Sequence, residues 1–232
     1  MARMGHHAAR TGHDDGTMRF ELTWRRADGA RLPTALWRAG PGYLMMSSGV
    51  LGGGFGPRAW VLNAQVPAGY ARTDPAAHLR ELAAGLGLDG SGVGMLTAAQ
   101  VSNLVQREDE GVHAAATAGL RVPTWAAAPA GPPRPALPGT INVIVAVPVP
   151  LSAAAFVNAV ATATEAKAQA VLDAGFAATG TATDAVCIAA PAGRHTERFT
   201  GPRSPWGARI ARAVHAAVLS GGRGYAAAND GG

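Results

Sequence analysis

The sequence predicts an α+β fold in a single domain, in which a large mixed sheet or paired sheets are flanked by about three helices. Short apolar runs bounded by Gly, Pro and charged residues outnumber the helical patterns. The helical patterns are separated along the chain, which favours sheets covered by helices. With 232 residues, 48% of them hydrophobic, the chain supports one sizeable core and does not require two domains.

The first predicted elements form a hairpin. Residues 1–17 lack the apolar core of a secretory signal and are predicted to be a disordered N-terminal extension, so the domain is predicted over residues 18–220. Residues 18–24 alternate in the manner of a strand, and a turn signal at residues 25–29 leads into a second strand over residues 31–37. We expect this hairpin to lie at a sheet edge.

A glycine-rich loop, residues 51–56, follows a buried run at residues 43–50. Its glycines would let backbone amides approach a ligand. They do not fit the spacing of a nucleotide-binding loop, no lysine follows, and residues 59–66 continue as a strand, so a Rossmann or P-loop site is not predicted. The remaining interpretations are contact with a bulky substrate and a tight hairpin, of which the hairpin is favoured.

The middle of the chain predicts one helix, several strands and a long loop. Asp74-Pro75 begins the helix, which is predicted to end near Gly87. Residues 124–138 carry five of the chain's 16 prolines and are predicted to be a loop or lid within the same domain. Strands are predicted over residues 92–98, 102–106, 112–118 and 140–147.

A second helix is predicted after Pro150. Ser152 is placed to cap it and Gly175 to close it. Glu165 and Lys167 lie on opposite borders of its apolar stripe, so each needs a partner outside the helix. Helical spacing predicts that the inward stripe consists of Val157, Val160, Ala161, Thr164, Ala168, Val171 and Leu172.

A polar turn, residues 179–184, leads into an apolar strand at residues 185–190 that should be covered on both faces. Its carboxylate and hydroxyls at a strand mouth are typical of a ligand site, and equally of a turn held by its own hydrogen bonds. A third helix is predicted over residues 208–219, with a mobile tail over residues 221–232.

Composition excludes several classes of protein. The net charge of +5 comes almost wholly from arginines outside any recognised motif, so no nucleic-acid partner is expected. The single cysteine, Cys187, excludes an internal disulfide and a Cys-based zinc site, and no metal site is predicted. No stretch approaches 18 apolar residues, which predicts a cytoplasmic protein without a membrane partner. The sequence does not indicate an oligomeric state.

The polar turn also carries a family resemblance. Glu165-Ala166-Lys167 and the later residues 179–184 resemble the EAK and GT-x-TD motifs of the adenosylcobinamide amidohydrolase family. The similarity spans residues 43–219 and implies hydrolysis of adenosylcobinamide to adenosylcobyric acid and 1-aminopropan-2-ol, with the corrinoid as substrate and no cofactor. It continues in chain order through Ser47-Ser48, Gly53-Gly54, Asn63, Val66 and residues 94–99, 117–120, 139–142 and 199–202.

The resemblance implies the roles of the site residues. Amide hydrolysis needs an attacking oxygen, a base, oxyanion donors and an acid, and the chain has neither a G-x-S-x-G elbow nor an H-E-x-x-H helix. Asp184 is predicted to activate water or a threonine hydroxyl such as that of Thr181, Asn142 to hold the oxyanion, and Glu165 to support the site. Substrate-binding roles are predicted for Ser48, Gly53, Gly54, Asn63, Thr97, Thr117, Thr140, Lys167 and Thr183.

Three alternatives stay open. Gly139-Thr140 has the form of a self-cleavage point that would leave an N-terminal threonine nucleophile, and an intact mass near 23.4 kDa would exclude it. The second alternative is an acyltransferase on the same scaffold, and the third is a corrinoid-binding protein without catalytic activity.

Overall fold

Ten β-strands and three α-helices form an α+β fold over residues 18–27, 29–129 and 139–229, which the computed structural model describes. The helices are α1 (Pro75–Gly85), α2 (Ala153–Asp173) and α3 (Pro205–Asn229). In chain order, the strands are β1 (Glu21–Ala27), β2 (Ala30–Arg38), β3 (Tyr43–Ser47), β4 (Gly54–Pro57), β5 (Trp60–Gln65), β6 (Gly92–Thr97), β7 (Val105–Asp109), β8 (Val112–Ala118), β9 (Ile141–Ala146) and β10 (Ala185–Pro191).

The strands form two sheets, as the paired-sheet alternative predicts. The first sheet has the order β1-β2-β5-β6 and the second the order β4-β3-β10-β9-β8-β7. Apolar side chains of both sheets, such as Val61 and Ile144, share one core between them. A second core joins the second sheet to α2 and α3, and a third joins the first sheet to α1. The molecule therefore has four layers, with helices outside both sheets.

The predicted opening hairpin is confirmed. Strands β1 and β2 pair antiparallel from Glu21↔Leu36 to Ala27↔Ala30, and β1 lies at the edge of the first sheet. Asp28, in the predicted turn, lies outside the described residues, as do the predicted extension at residues 1–17, residues 130–138 of the predicted loop or lid, and residues 230–232.

The glycine-rich loop is a hairpin turn. Strands β3 and β4 pair antiparallel up to Ser47↔Gly54, which supports the hairpin interpretation of this loop. Gly54 has a φ of 85°, a conformation that glycine adopts without steric cost. A Cβ on Gly53 would lie 2.7 Å from the Gly49 carbonyl oxygen. These glycines are therefore required by the turn itself.

Helix α2 connects two parallel neighbouring strands, β9 and β10. The predicted cap is confirmed, since the Ser152 hydroxyl accepts a hydrogen bond of 3.2 Å from the Ala155 amide. Gly175 has a φ of 92° just after the helix, as a C-terminal glycine cap requires. Because the crossover runs antiparallel to its strands, the C-terminal half of α2 reaches the end of the sheet where β10 begins.

The predicted inward stripe of α2 is wrong at most of its positions, although Val171 is buried as predicted. Val157 and Leu172 are 59% and 45% exposed. The helix packs against both the second sheet and α3, and small side chains allow that close approach. The buried residues of α2 are Ala155, Phe156, Ala159, Thr162, Ala163, Ala166, Lys167, Ala170 and Val171.

Helix α3 extends ten residues beyond its predicted end at Leu219, so that prediction is wrong. Residues 221–229, predicted to be part of a mobile tail, lie in the helix. Gly222 is buried, and a Cβ there would lie 3.0 Å from the Ala174 Cβ. The absence of a side chain at Gly222 therefore allows α3 to pack closely against Ala174. No helix in the described part of the chain is long and apolar enough to cross a membrane.

Cys187 is expected to resist thiol reagents in the folded protein. Its side chain lies fully buried between the sheets, and burial raises the pKa of the thiol to about 12. At pH 8 the thiol therefore stays protonated and inaccessible. We expect Ellman's reagent to label no thiol in the native protein and one per chain in guanidinium chloride. Rapid native labelling at pH 8 would contradict this burial.

Candidate active site

The polar residues of the motifs gather at one end of the two sheets. Strands β9 and β10 begin at this end, and the antiparallel strands β3 and β8 finish there. In the first sheet, Asn63 and Thr97 lie near the carboxyl ends of β5 and β6. The topology thus brings together segments that are more than 100 residues apart in the chain.

Asp184 is the centre of this cluster. Its carboxylate accepts hydrogen bonds from Lys167 Nζ at 2.5 Å, from Thr181 Oγ1 at 2.5 Å, and from the backbone amides of Ile141 and Thr181 at 2.9 and 3.1 Å. A carboxylate has about four acceptor positions. These donors therefore fix both oxygens of Asp184 at the start of β10.

The Lys167–Asp184 pair is largely buried, with side chains 9% and 10% exposed. A charge removed from water needs a partner, and Lys167 finds one outside its helix. Gly180 lies against the pair: a Cβ there would lie 2.2 Å from Asp184 Oδ2 and 2.4 Å from Lys167 Nζ. The ion pair therefore fits only because residue 180 has no side chain.

Threonine hydroxyls surround the carbonyl oxygen of Gly139. Thr181 Oγ1 lies 2.7 Å from that oxygen, and Thr183 Oγ1 lies 3.1 Å from it. A hydroxyl carries one hydrogen, so Thr181 can donate either to Gly139 or to Asp184, but not to both at once. Thr181 is half-buried. It therefore both contacts the carboxylate and reaches the surface.

Thr140 has no base beside its hydroxyl among the described residues. Its Oγ1 lies 2.7 Å from Thr183 Oγ1, and the side chain is 7% exposed. Self-cleavage before Thr140 would require a group that takes the hydroxyl proton as the oxygen attacks the Gly139 carbonyl carbon. The geometry gives the Thr140 hydroxyl another hydroxyl as its partner, which is a poor base.

Two buried asparagines join the sheets. Asn142 Nδ2 donates to Asn63 Oδ1 at 2.8 Å and to the Leu96 carbonyl oxygen at 3.2 Å, and Asn63 Nδ2 donates to Thr117 Oγ1 at 3.1 Å. The Leu96 carbonyl fixes the orientation of the Asn142 amide, since a flip would place two oxygens together. Both amide hydrogens of Asn142 are thus engaged, while its buried Oδ1 has no hydrogen-bond partner among the described residues. The free group is an acceptor rather than an oxyanion donor.

The serine and threonine at the neighbouring strand ends bond to backbone groups. Ser48 Oγ accepts from the Val186 amide at 3.0 Å, two residues after Asp184. Thr97 Oγ1 accepts from the Ala99 amide at 3.0 Å. Thr97 is buried and Ser48 is exposed, so of these two only Ser48 lies at the surface. Both side chains hold the strand ends in place.

Glu165 is not brought to this cluster. Glu165 lies two positions before Lys167 in the helix, which places the two side chains about 200° apart around α2. Glu165 is exposed and lines a cavity of about 300 Å³ between α2 and α3, together with Gln169, Arg212 and His215. The structure therefore brings Asn142 and Asn63 into contact with each other between the two sheets, whereas Asp184, at the same end of the second sheet, contacts Lys167 of α2, and Glu165 lies on another face.

The ligand site predicted at the polar turn does not coincide with four cavities found elsewhere in the described residues. Four cavities of about 300 to 490 Å³ occur in the described part of the chain, and Asp184 lines none of these four. The cluster instead reaches the surface through Thr181, Ala182 and Thr183. Within residues 18–27, 29–129 and 139–229, no group of three or more His, Cys, Asp and Glu side chains could hold a metal ion.

The sequence did not predict the backbone groups that take part in the cluster. The Gly139 carbonyl and the Ile141 amide contact the threonines and Asp184, yet every residue carries such groups, so sequence offers no signal for them. The closeness of Gly180 to the ion pair was also missed. The available sign was the position of Gly180 in the sequence, at the start of the motif that also contains Thr181 and Asp184.

Comparison with known proteins gives a consistent result. Residues 20–230 match the family described as adenosylcobinamide amidohydrolase. A Methanosarcina mazei protein of that name is 32% identical over 180 residues, covering 74% of this chain and 86% of that protein. A Halobacterium salinarum protein of the same name is 42% identical over 115 residues, covering 46% of this chain and 48% of that protein. The family match includes every residue of the cluster around Asp184.

Proposed function

The chain belongs to the adenosylcobinamide amidohydrolase family and is an amide-bond hydrolase, and from this we propose that it cleaves the aminopropanol amide of adenosylcobinamide. The products are adenosylcobyric acid and 1-aminopropan-2-ol. One water is consumed: the amide C–N bond breaks, the acyl carbon gains a hydroxyl oxygen and the nitrogen gains a proton. The acid can re-enter corrinoid synthesis, so the reaction serves cytoplasmic corrinoid salvage.

The contact between Asp184 and Thr181 supports this proposal most directly. A carboxylate 2.5 Å from the hydroxyl of a half-buried threonine is placed to take a proton from an attacking oxygen. That oxygen is Thr181 Oγ1, or a water that replaces it beside the carboxylate. Lys167 balances the charge of Asp184 and holds its orientation. In this proposal Lys167 is a positioning residue and does not touch the substrate.

The other motif residues divide by exposure. Asn63, Asn142, Thr97 and Thr117 are at most 2% exposed, so in this proposal they fix the strand ends behind the site. Contact with the substrate falls to residues nearer the surface, namely Ser48, Thr181 and Thr183. Thr183 is the hydroxyl best placed to donate to the developing oxyanion, because it neighbours Thr181 and is exposed.

The test is incubation of the purified protein with adenosylcobinamide, with and without a chelator, followed by mass analysis of the corrinoid. We expect release of adenosylcobyric acid in water alone. A requirement for an added amine or alcohol would indicate an acyltransferase, and a bound corrinoid that is never converted would indicate a binding protein. The intact mass of the same sample shows whether the chain cleaves itself between Gly139 and Thr140. A covalent acyl adduct on Thr181 would show that this residue, and not water, is the nucleophile.

A further inference from the structure

An uncharged groove lies between the C-terminal half of α3 and the segment that follows β6. Its volume is about 380 Å³, and the described residues that line it include no Asp, Glu, Lys, Arg or His. The other three cavities each contain at least one arginine. The lining of this α3 groove consists of Ala98, Ala99, Gln100, Asn103, Val105, Ala118, Ser220, Gly221, Gly224, Tyr225, Ala228 and Asn229.

Small residues line the floor of the groove, and carboxamide side chains lie at its rim. Its alanines and glycines leave room for an apolar surface to approach the backbone closely. Gln100, Asn103 and Asn229 are exposed at its rim, and they are three of only nine Asn and Gln residues (five Asn and four Gln) in the chain. A carboxamide donates and accepts at the same time, so it pairs with another carboxamide through two hydrogen bonds. The groove therefore suits a flat apolar ligand whose edge carries primary amides.

The groove lies next to the Asp184 cluster. Its wall residue Ala118 pairs with Ile141, the residue whose amide binds Asp184. Ala99, another wall residue, lies against Gly119, which donates to the Thr140 carbonyl oxygen at 3.0 Å. Neighbouring strands are about 5 Å apart. Because β9 lies between β8 and β10, the groove wall and Asp184 are two strand spacings apart, so a ligand wider than about 10 Å would reach both the groove and the cluster.

We propose that the α3 groove binds the amide-bearing rim of the corrin ring while the aminopropanol arm lies at the Asp184 cluster. A corrin is an apolar macrocycle whose edge carries acetamide and propionamide arms, which matches the small-residue floor and the amide rim. The inference rests on the proposed function for the identity of the ligand. The groove is too small for the whole corrinoid, so it holds one edge of the ring.

Filling the groove with a Gly224→Leu substitution tests the proposal. A Cβ at Gly224 meets no atom of the described residues within 4 Å, and leucine favours a helix more than glycine does, so the variant should fold. We expect the dissociation constant for cobyric acid, which keeps the rim amides and lacks the scissile arm, to rise at least about tenfold, equivalent to about 1.4 kcal/mol. Equilibrium dialysis followed by corrinoid absorbance measures it without turnover.

The matched control is Ala227→Leu, which adds the same side chain to an exposed position of α3 outside the groove. The dissociation constant of Ala227→Leu for cobyric acid should stay at the wild-type value. Asn103→Ala removes one rim amide and should weaken binding by roughly fivefold, the value of one hydrogen bond. For turnover of adenosylcobinamide, we expect KM to rise in Gly224→Leu with kcat within about twofold of wild type, since the groove lies outside the reacting cluster.

The outcomes separate the two proposals. Equal corrinoid affinity for Gly224→Leu, Ala227→Leu and wild type would overturn the groove assignment, even if all three hydrolyse the amide. Selective loss of binding in Gly224→Leu without any hydrolysis by wild type would support the groove and overturn the proposed function. Absence of corrinoid binding to the wild-type protein would overturn the groove assignment as well.

Discussion

Replacing Asp184 with Asn is expected to lower amide hydrolysis at least about a hundredfold, the usual contribution of a general base. The substitution should also lower the free energy of unfolding by about 3 to 5 kcal/mol, because the buried ammonium of Lys167 loses its counter-charge. Asparagine keeps the size of the side chain, so the effect reports charge rather than volume. Turnover of adenosylcobinamide and urea-induced unfolding at pH 7 measure the two quantities.

The double substitution Lys167→Met with Asp184→Asn separates the two roles of the carboxylate. Removing both charges leaves no unpaired ion, so stability should return to within about 1 to 2 kcal/mol of wild type. Activity should stay as low as in the single variant, because the base is still absent. A fully active Asp184→Asn protein would remove Asp184 from its role as base. A double variant that is restored in activity would show that the carboxylate acts only by compensating Lys167.

Much of the fold was predictable because its strands are short apolar runs with clear boundaries. The hairpin of β1 and β2, the Ser152 cap and the Gly175 C-terminus each depend on local chemistry that the sequence states directly. The buried face of α2 was not predictable, because alanine occurs on every side of that helix and the periodic signal is weak. Contact with α3 then decides which alanines are buried, and exposed valines such as Val157 mislead.

In the candidate site, too, the local contacts could be predicted from the sequence and the long-range contacts could not. Thr181 and Asp184 are near neighbours in sequence at a strand mouth, so their contact could be predicted locally. The contact between Asn63 and Asn142 joins the two sheets, and the family resemblance assigned each residue a role without predicting their contact. Glu165 shares a motif with Lys167, but motif membership does not specify a helix face. The pairing of both amide hydrogens of Asn142 depends on the Leu96 carbonyl, for which the sequence carries no signal.

Replacing Gly180 with Ala is expected to reduce activity at least about tenfold and to lower the free energy of unfolding by about 1 to 3 kcal/mol, as overpacking does. The added Cβ would lie 2.2 Å from Asp184 Oδ2, well inside van der Waals contact. Lys167 Nζ, at 2.4 Å, can move with its flexible stem, but four donors hold the carboxylate. The strain therefore falls on the contact between Asp184 and Thr181.

Gly85→Ala is the matched control for this change. Gly85 ends α1, and a Cβ there meets no atom of the described residues within 4 Å, so we expect stability within about 1 kcal/mol of wild type and full activity. Gly180→Val should be worse than Gly180→Ala, since a larger side chain displaces the carboxylate further. Gly180→Ala removes no hydrogen-bonding group and no charge, so we attribute a loss of turnover in this variant to displacement of the Asp184 carboxylate. If Gly180→Ala and Gly85→Ala had equal turnover and stability, the tight fit of the ion pair against residue 180 would be refuted, and with it the idea that fixing this carboxylate matters for catalysis.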